Sequence, residues 1–232
     1  MRHKQTRLAG PGVRETFAGP SPKEPLPELQ TALRALLGIL DTTWVVLAMV
    51  NMYLSLVAAE GLATARRWTG LILGAAFALA AVSVWTRWPL GPIYFTERLG
   101  VKLGPVPLGV PLLWFVVIIG ARELTLWLAP RASHRRVAIW TGVLTALTDL
   151  ALEPVAWKVR VFWWYAGPGH VPAGPPPWTC AVWLVAGAAL AFFLRETEVV
   201  RSVAPRPGRP AAIFVIFYFV LYWAQSVRMI GG

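Results

Sequence analysis

Two carboxylates, Asp149 and Glu153, lie four residues apart within residues 137–165, a stretch otherwise apolar enough to cross a membrane. A spacing of four residues places both side chains on one face of a helix. An ionised carboxylate at the centre of a bilayer costs at least about 2.5 kcal/mol on insertion scales. The pair is therefore predicted to line a polar site, to share a proton, or to carry out chemistry.

The residue after the pair makes the predicted site more polar. Pro154 has no backbone N–H, so the carbonyl of residue 150 is expected to lack its helical partner. Two carboxylates in one buried pocket cannot easily both be ionised, which predicts a protonated acid beside a charged partner. General acid and base catalysis requires this arrangement. The alternative is a structural role, in which both acids pair with hydroxyls or with cations such as Arg160 or Arg122.

A second candidate acid lies in a segment rich in proline and glycine. Glu97 follows Tyr94, Phe95 and Thr96 in residues 87–106, and such broken backbone is tolerated at membrane depth only where it is buried in protein or lines a cavity. Glu97 is therefore a candidate site residue. An equally good interpretation is an interfacial acid neutralised by a neighbouring cation. For Glu123, the adjacent arginine favours a structural role.

The composition is that of a polytopic membrane protein. With 56% hydrophobic and 14% charged residues over 232 positions, the chain is too apolar for a soluble surface and too long for a single anchor. We expect an all-α helical bundle of about six transmembrane helices, with residues 87–106 as a re-entrant or interfacial segment and residues 1–30 as a disordered basic tail before a single transmembrane domain, residues 31–232. The predicted spans are residues 31–59, 68–86, 107–129, 137–165, 178–194 and 211–229.

Charge and cysteine usage narrow the possible partners. The net charge of +11 lies in short clusters at the ends of apolar runs, where basic side chains meet lipid headgroups, so we expect a bilayer and no nucleic acid as partner. Cys180 is the single cysteine, and the three histidines are scattered, which argues against cysteine-based metal sites and haem or non-haem iron. We therefore expect no cofactor and no metal. The expected location is the inner membrane of a bacterial cell, and no oligomeric state is indicated.

Three motifs in order resemble a known family. Residues 90–100, LGPIYFTERLG, and residues 108–114, LGVPLLW, are similar to the F-G-x-Y-x-Y-T-D-x-L-G and G-V-P-x-x-x-x-W patterns of CruF-type carotenoid biosynthesis membrane proteins. Residues 148–154, TDLALEP, resemble the T-D-x-x-x-D-P element of that family, with glutamate for the second aspartate. Residues 177–183, PWTCAVW, resemble its V-P-x-S-N-x-x-x-W region, with Cys180 at the asparagine. Family members usually carry a further glutamate upstream, where residues 80–85 contain no acid.

The resemblance implies a carotenoid 1,2-hydratase, a lyase that adds water to the terminal double bond of an acyclic carotenoid without a redox cofactor. Either Asp149 or Glu153 would donate the proton and the other would orient water, with Glu97 assisting. The substrate would be an acyclic carotenoid or another long isoprenoid that enters from the bilayer. Residues in or beside the motifs are expected to contact it, namely Tyr94, Phe95, Trp114, Thr148 and Trp157.

Two other functions fit the acid pair. In a proton-coupled transporter, Asp149 and Glu153 would carry protons between the faces of the membrane, although no inverted repeat is visible in the sequence. The chain could also be a non-catalytic membrane partner in isoprenoid metabolism. An intramembrane prenyltransferase would need aspartate-rich motifs for magnesium and diphosphate, which a single pair of acids does not supply.

Overall fold

The computed structural model describes residues 27–167, 172–194 and 210–217. Contacts within the chain separate residues 1–36 from residues 37–232, and the candidate site belongs to the second unit. The described chain is mostly helical: α1 is Pro27–Glu60, α2 is Leu62–Thr86, α3 is Gly109–Leu128, α4 is His134–Glu153 and α5 is Thr179–Phe193. Residues 210–217 are also helical.

Long apolar runs account for most of these helices. Three of them are long and apolar enough to cross a membrane, namely Thr42–Glu60 within α1, Leu62–Thr86 and Gly109–Leu128. Within the described residues, α5 is apolar but only 15 residues long. The bundle of six transmembrane helices therefore stays a prediction. The predicted tail, apart from residues 27–30, and residues 218–229 of the sixth predicted span lie outside the described residues.

The predicted fourth span, residues 137–165, is wrong as a single helix. The helix α4 ends at Glu153 and continues as a π-helical turn, Pro154–Val159, before the chain becomes extended. Pro154 cannot donate a helical hydrogen bond, and the backbone N–H of Arg160 instead bonds to the carbonyl of Val155, five residues earlier, at 2.8 Å. An apolar run alone does not distinguish a buried strand from a helix, and the predicted helix therefore extends too far.

The described ranges also contain five short strands, which modify the all-helical prediction. They are β1 (Ile93–Phe95), β2 (Lys102–Leu103), β3 (Val106–Pro107), β4 (Trp163–Ala166) and β5 (Pro172–Ala173). One antiparallel sheet has the order β1-β4-β5, and β2 pairs with β3 in a second. In the first sheet, Ile93 lies opposite Tyr165 and Phe95 opposite Trp163. The broken segment is therefore joined by backbone hydrogen bonds to the chain that follows α4.

The helix α3 lies at the centre of this unit. Nearly all of its residues are buried, and it packs against α2 on one side and α4 on the other. The helix α4 packs in turn against α5, and the two approach closely because position 142 is glycine. A Cβ atom at Gly142 would lie 2.5 Å from the carbonyl oxygen of Leu184. Small residues permit such close helix contacts in membrane proteins, and this one sets α5 against the helix that carries the acids.

Candidate active site

The carboxylate of Glu153 is held by two hydrogen-bond donors from β4. Glu153 ends α4 and is buried, with 4% of its surface exposed. The indole N–H of Trp163 donates to its Oε2 atom at 3.0 Å, and the hydroxyl of Tyr165 donates to its Oε1 atom at 2.7 Å. Indole is a donor only, so the Oε2 atom of Glu153 acts as the acceptor in this bond. Both oxygens of Glu153 are therefore suited to carry negative charge.

The surroundings of Asp149 differ from those of Glu153. Asp149 lies one turn earlier on the same face of α4 and is 1% exposed. Its Oδ1 atom is buried and has no hydrogen-bond partner among the described residues. Burying a polar atom without a partner costs free energy, and a charged one costs far more. The two acids thus lie one helical turn apart and differ in their hydrogen bonds: both oxygens of Glu153 accept one, whereas Oδ1 of Asp149 accepts none from the described residues.

Both acids line a pocket of about 320 Å³. This volume lies near the lower end of the range of roughly 300 to 1,000 Å³ typical of small-molecule sites. One wall belongs to α4 and the π-helical turn, and the other to the segment that leads into α5. The lining residues are Asp149, Leu150, Glu153, Pro154, Trp157, Pro175, Pro176, Pro177, Thr179 and Cys180. Most of this surface is apolar, so the acids face a space suited to a hydrocarbon group.

The broken segment before α3 holds the proline wall of this pocket in place. Gly91 has φ +98°, and a Cβ atom there would lie 2.6 Å from Cγ of Pro176. The indole of Trp178 donates to the carbonyl of Pro89 at 3.0 Å, and the hydroxyl of Thr179 donates to the carbonyl of Leu90 at 3.3 Å. Glycine at position 91 is required both by the backbone conformation and by this contact.

A second, much smaller cavity lies on the other side of Glu153. Its volume is about 10 Å³. Its walls are aromatic and aliphatic, with Trp114 stacked on Trp183 at a centroid distance of 3.3 Å and Phe95 edge-on to Trp163 at 6.1 Å. The lining residues are Ala80, Leu90, Ile93, Phe95, Val110, Trp114, Glu153, Trp163, Tyr165 and Trp183. Among the described residues, Glu153 is the one that lines both this cavity and the pocket.

The structure brings five of the eight predicted site residues to these two spaces. Asp149, Glu153 and Trp157 line the pocket, and Phe95 and Trp114 line the small cavity together with Glu153. The arrangement confirms that the spacing of the two acids places them together.

The other three predicted residues lie apart from both spaces. Thr148 is buried, and its hydroxyl donates to the carbonyl of Leu144 at 2.7 Å. Tyr94 is exposed and stacks on Trp164 at a centroid distance of 4.5 Å. Glu97 is exposed as well and lines neither space. The geometry therefore does not join Glu97 to the acid pair.

Sequence reasoning missed the two hydrogen-bond donors to Glu153. Trp163 and Tyr165 were assigned to the end of a helix, whereas they point to the same side of β4 because one residue separates them. The sequence signal that could have found them is the spacing of two residues between Trp163 and Tyr165, which places both side chains on one face of a strand. The pocket residues Pro175 and Pro176 were missed too, while Pro177 and Thr179 were placed in the third motif without a role in the site.

One of the two cations considered as partners for the acids is paired with other residues. Arg122 forms a buried ion pair with Glu123, and its guanidinium lies 4.7 Å from the centroid of the Trp68 ring. This contact supports the structural interpretation of Glu123. The backbone carbonyl of Arg160 accepts a hydrogen bond from Arg98. Within the described part of the chain, no group of three or more histidine, cysteine or acidic residues could hold a metal ion.

Comparison with known proteins identifies relatives of the chain. A family described as "Carotenoid biosynthesis protein" matches residues 40–230. The bisanhydrobacterioruberin hydratase of Haloarcula japonica is 32% identical over 152 residues, which cover 63% of this chain and 50% of that protein. The chain thus matches about half the length of this curated relative. No solved structure matches.

Proposed function

The chain belongs to the carotenoid biosynthesis protein family, and we propose that it is a hydratase that adds water to the terminal double bond of an acyclic carotenoid. The family resemblance inferred from the motifs is confirmed, as is the membrane character of the apolar helices. The substrate, the reaction and the roles of individual residues are the proposal, together with a location in the inner membrane of a bacterial cell.

The observation that carries the proposal is the unequal bonding of the two acids in one apolar pocket. Glu153 accepts hydrogen bonds from Trp163 and Tyr165, which favour its carboxylate form. Asp149 has a buried oxygen that finds no hydrogen-bond partner within the described part of the chain, and a neutral carboxyl group costs much less free energy there than a bare carboxylate. We therefore assign the proton to Asp149 and the negative charge to Glu153, as an acid and a base that face one substrate.

The reaction requires one proton donor and one proton acceptor. Asp149 gives its proton to the secondary carbon of the terminal double bond, and the positive charge develops on the tertiary carbon. A water oxygen bonds to that carbon while Glu153 takes one proton from the water. The product is a tertiary alcohol. A proton transfer from Glu153 to Asp149 restores the starting state, so the net change is the addition of one water molecule.

Aromatic side chains near Glu153 suit a reaction through a cation. The face of an aromatic ring attracts positive charge, by about 0.5 to 2 kcal/mol depending on exposure. Trp157 lines the pocket beside the acids. Together with the Glu153 carboxylate, its ring would stabilise the tertiary cation.

The pocket also suits a substrate that arrives from lipid. Leu150 lines the pocket and is 56% exposed, on a face of α4 that also exposes Leu147. An apolar residue shared by the pocket and the outer surface offers a route for a polyene, whose end group would enter while the remaining chain stays in the bilayer. Expression in a lycopene-producing host tests the function directly, since the expected pigment is heavier by one water.

A further inference from the structure

We propose that the small cavity behind Glu153 is a binding site for a single water molecule, and that this is the water added to the substrate. The inference rests on the proposed hydratase function and deepens it, because a reaction within an apolar site needs a source of water. Three observations support the assignment: the size of the cavity, the polar groups at its wall and its burial.

The size of the cavity matches one water molecule. A cavity needs roughly 10 to 15 Å³ of accessible space to hold one water. The cavity behind Glu153 has about 10 Å³, whereas the pocket on the other side has about 320 Å³. The small cavity therefore has room for one water and no room for a hydrocarbon group of the substrate.

Two side chains that bear oxygen atoms line the cavity. Glu153 and Tyr165 line it, and they are joined to each other by the 2.7 Å hydrogen bond. Each carboxylate oxygen has two lone pairs and accepts one hydrogen bond from β4, so each retains one for a water proton. The remaining walls are mainly apolar and aromatic, so the water is held from the Glu153 side.

Nine of the ten residues that line the cavity are buried, and the tenth, Phe95, is half-buried. Ala80, Val110, Trp163 and Tyr165 are all at most 2% exposed. Since Glu153 lines both spaces, it borders both the stored water and the substrate end group. The base that accepts the water proton would thus also be the group that retains the water until the cation forms. Asp149 lines only the pocket, so the proton donor and the water supply lie on different sides of Glu153.

Filling the cavity should remove the water without changing the pocket. Ala80 lines the cavity from α2, and Ala80→Val adds two methyl groups to a space that fits one water. Ala76→Val is the matched control, because Ala76 is 1% exposed on the same face of α2 and does not line the cavity. Val110→Ile fills the cavity from α3 and serves as a second variant if Ala80→Val does not fold.

Two measurements test the inference: high-resolution density for an ordered water, and hydration kinetics of variants with confirmed folding. We expect density in the wild-type cavity and none in Ala80→Val. We also expect the rate at saturating carotenoid to fall by about tenfold or more, with unchanged half-saturation, because the nucleophile is misplaced while the pocket is intact. Ala76→Val should keep the wild-type rate.

Two results would overturn the water site: an empty wild-type cavity at a resolution that shows other buried waters, or full rates in both Ala80→Val and Val110→Ile. A third result separates this inference from the proposed function. Ordered water in the cavity of a wild-type protein that hydrates no carotenoid would overturn the hydratase function, while the water site itself would stand.

Discussion

The hydroxyl of Tyr165 donates a 2.7 Å hydrogen bond to Oε1 of Glu153, from a strand to the end of a helix twelve residues earlier. This contact exists because the chain leaves α4 through a π-helical turn and comes back as β4. Together with Trp163, it fixes the orientation of the carboxylate and favours its charged form. The strand that follows the helix is therefore as much a part of the candidate site as the helix itself.

Tyr165→Phe should slow hydration by about tenfold to a hundredfold, because a hydrogen bond to a charged group contributes roughly 1.5 to 3 kcal/mol. The measurement is the initial rate of product formation in membranes with matched protein levels. Tyr94→Phe is the control, since it removes the same hydroxyl from an exposed residue in the same sheet. Equal rates for both variants would show that Tyr165 does not position the base.

Asp149→Asn should reduce hydration by about a hundredfold or more, since asparagine cannot donate the catalytic proton. The thermal unfolding temperature in detergent should stay close to that of the wild type, because Oδ1 of Asp149 has no hydrogen-bond partner to lose among the described residues. Glu97→Gln is the control in the same assay and should retain activity, because Glu97 is exposed and lines neither space. If Glu97→Gln lost activity and Asp149→Asn did not, the proton donor would be Glu97 and not Asp149.

Gly91→Ala should displace the proline wall of the pocket and lower both stability and activity. The new Cβ would meet Pro176 at 2.6 Å, in addition to about 1 kcal/mol or more for a non-glycine residue at positive φ. Gly104→Ala tests the backbone strain alone, because Gly104 also has positive φ but its added Cβ would lie more than 4 Å from every described residue other than its chain neighbours. Thermal unfolding and initial rates are the measurements. An activity loss in Gly104→Ala as large as that in Gly91→Ala would contradict the role assigned to the wall.

Cys180 gives a direct test of where the substrate binds. It is the single cysteine of the chain and lines the pocket. A membrane-permeable maleimide should label it, and an acyclic carotenoid should slow the labelling, which intact-protein mass spectrometry would record. Because this assay reports binding alone, it can be run on Asp149→Asn. Labelling at the same rate with and without carotenoid would exclude this pocket as the end-group site.

The sequence predicted the helices better than the segments between them. Residues 107–129 and 178–194 were predicted as spans, and the observed helices Gly109–Leu128 and Thr179–Phe193 differ by one or two residues at each end. Long apolar runs bounded by proline and glycine specify such helices locally. The strand β4 is different, because its conformation depends on pairing with β1, about seventy residues earlier. The residues of β4 and their neighbours in sequence do not indicate that β1 is its partner.

The same distinction applies to the site. The common face of Asp149 and Glu153 follows from helix geometry and could be predicted from their spacing alone. The donors Trp163 and Tyr165 could not, because their contact with Glu153 depends on the π-helical turn after Pro154. The pocket wall at Pro176 depends in the same way on its contact with Gly91, in a distant segment. The site residues that were not predicted from the sequence are thus those that depend on contacts between distant segments.

The most direct test of the central claim is pigment analysis in a lycopene-producing host that expresses the chain. The wild type should yield a carotenoid heavier by one water, identified by chromatography and mass spectrometry. Asp149→Asn and Glu153→Gln should abolish that product, while Glu97→Gln should retain it, with all four proteins present at similar levels in the membrane. Unchanged pigment with confirmed membrane expression of the wild type, or an undiminished product in Asp149→Asn and Glu153→Gln, would contradict acid-catalysed hydration by this pair.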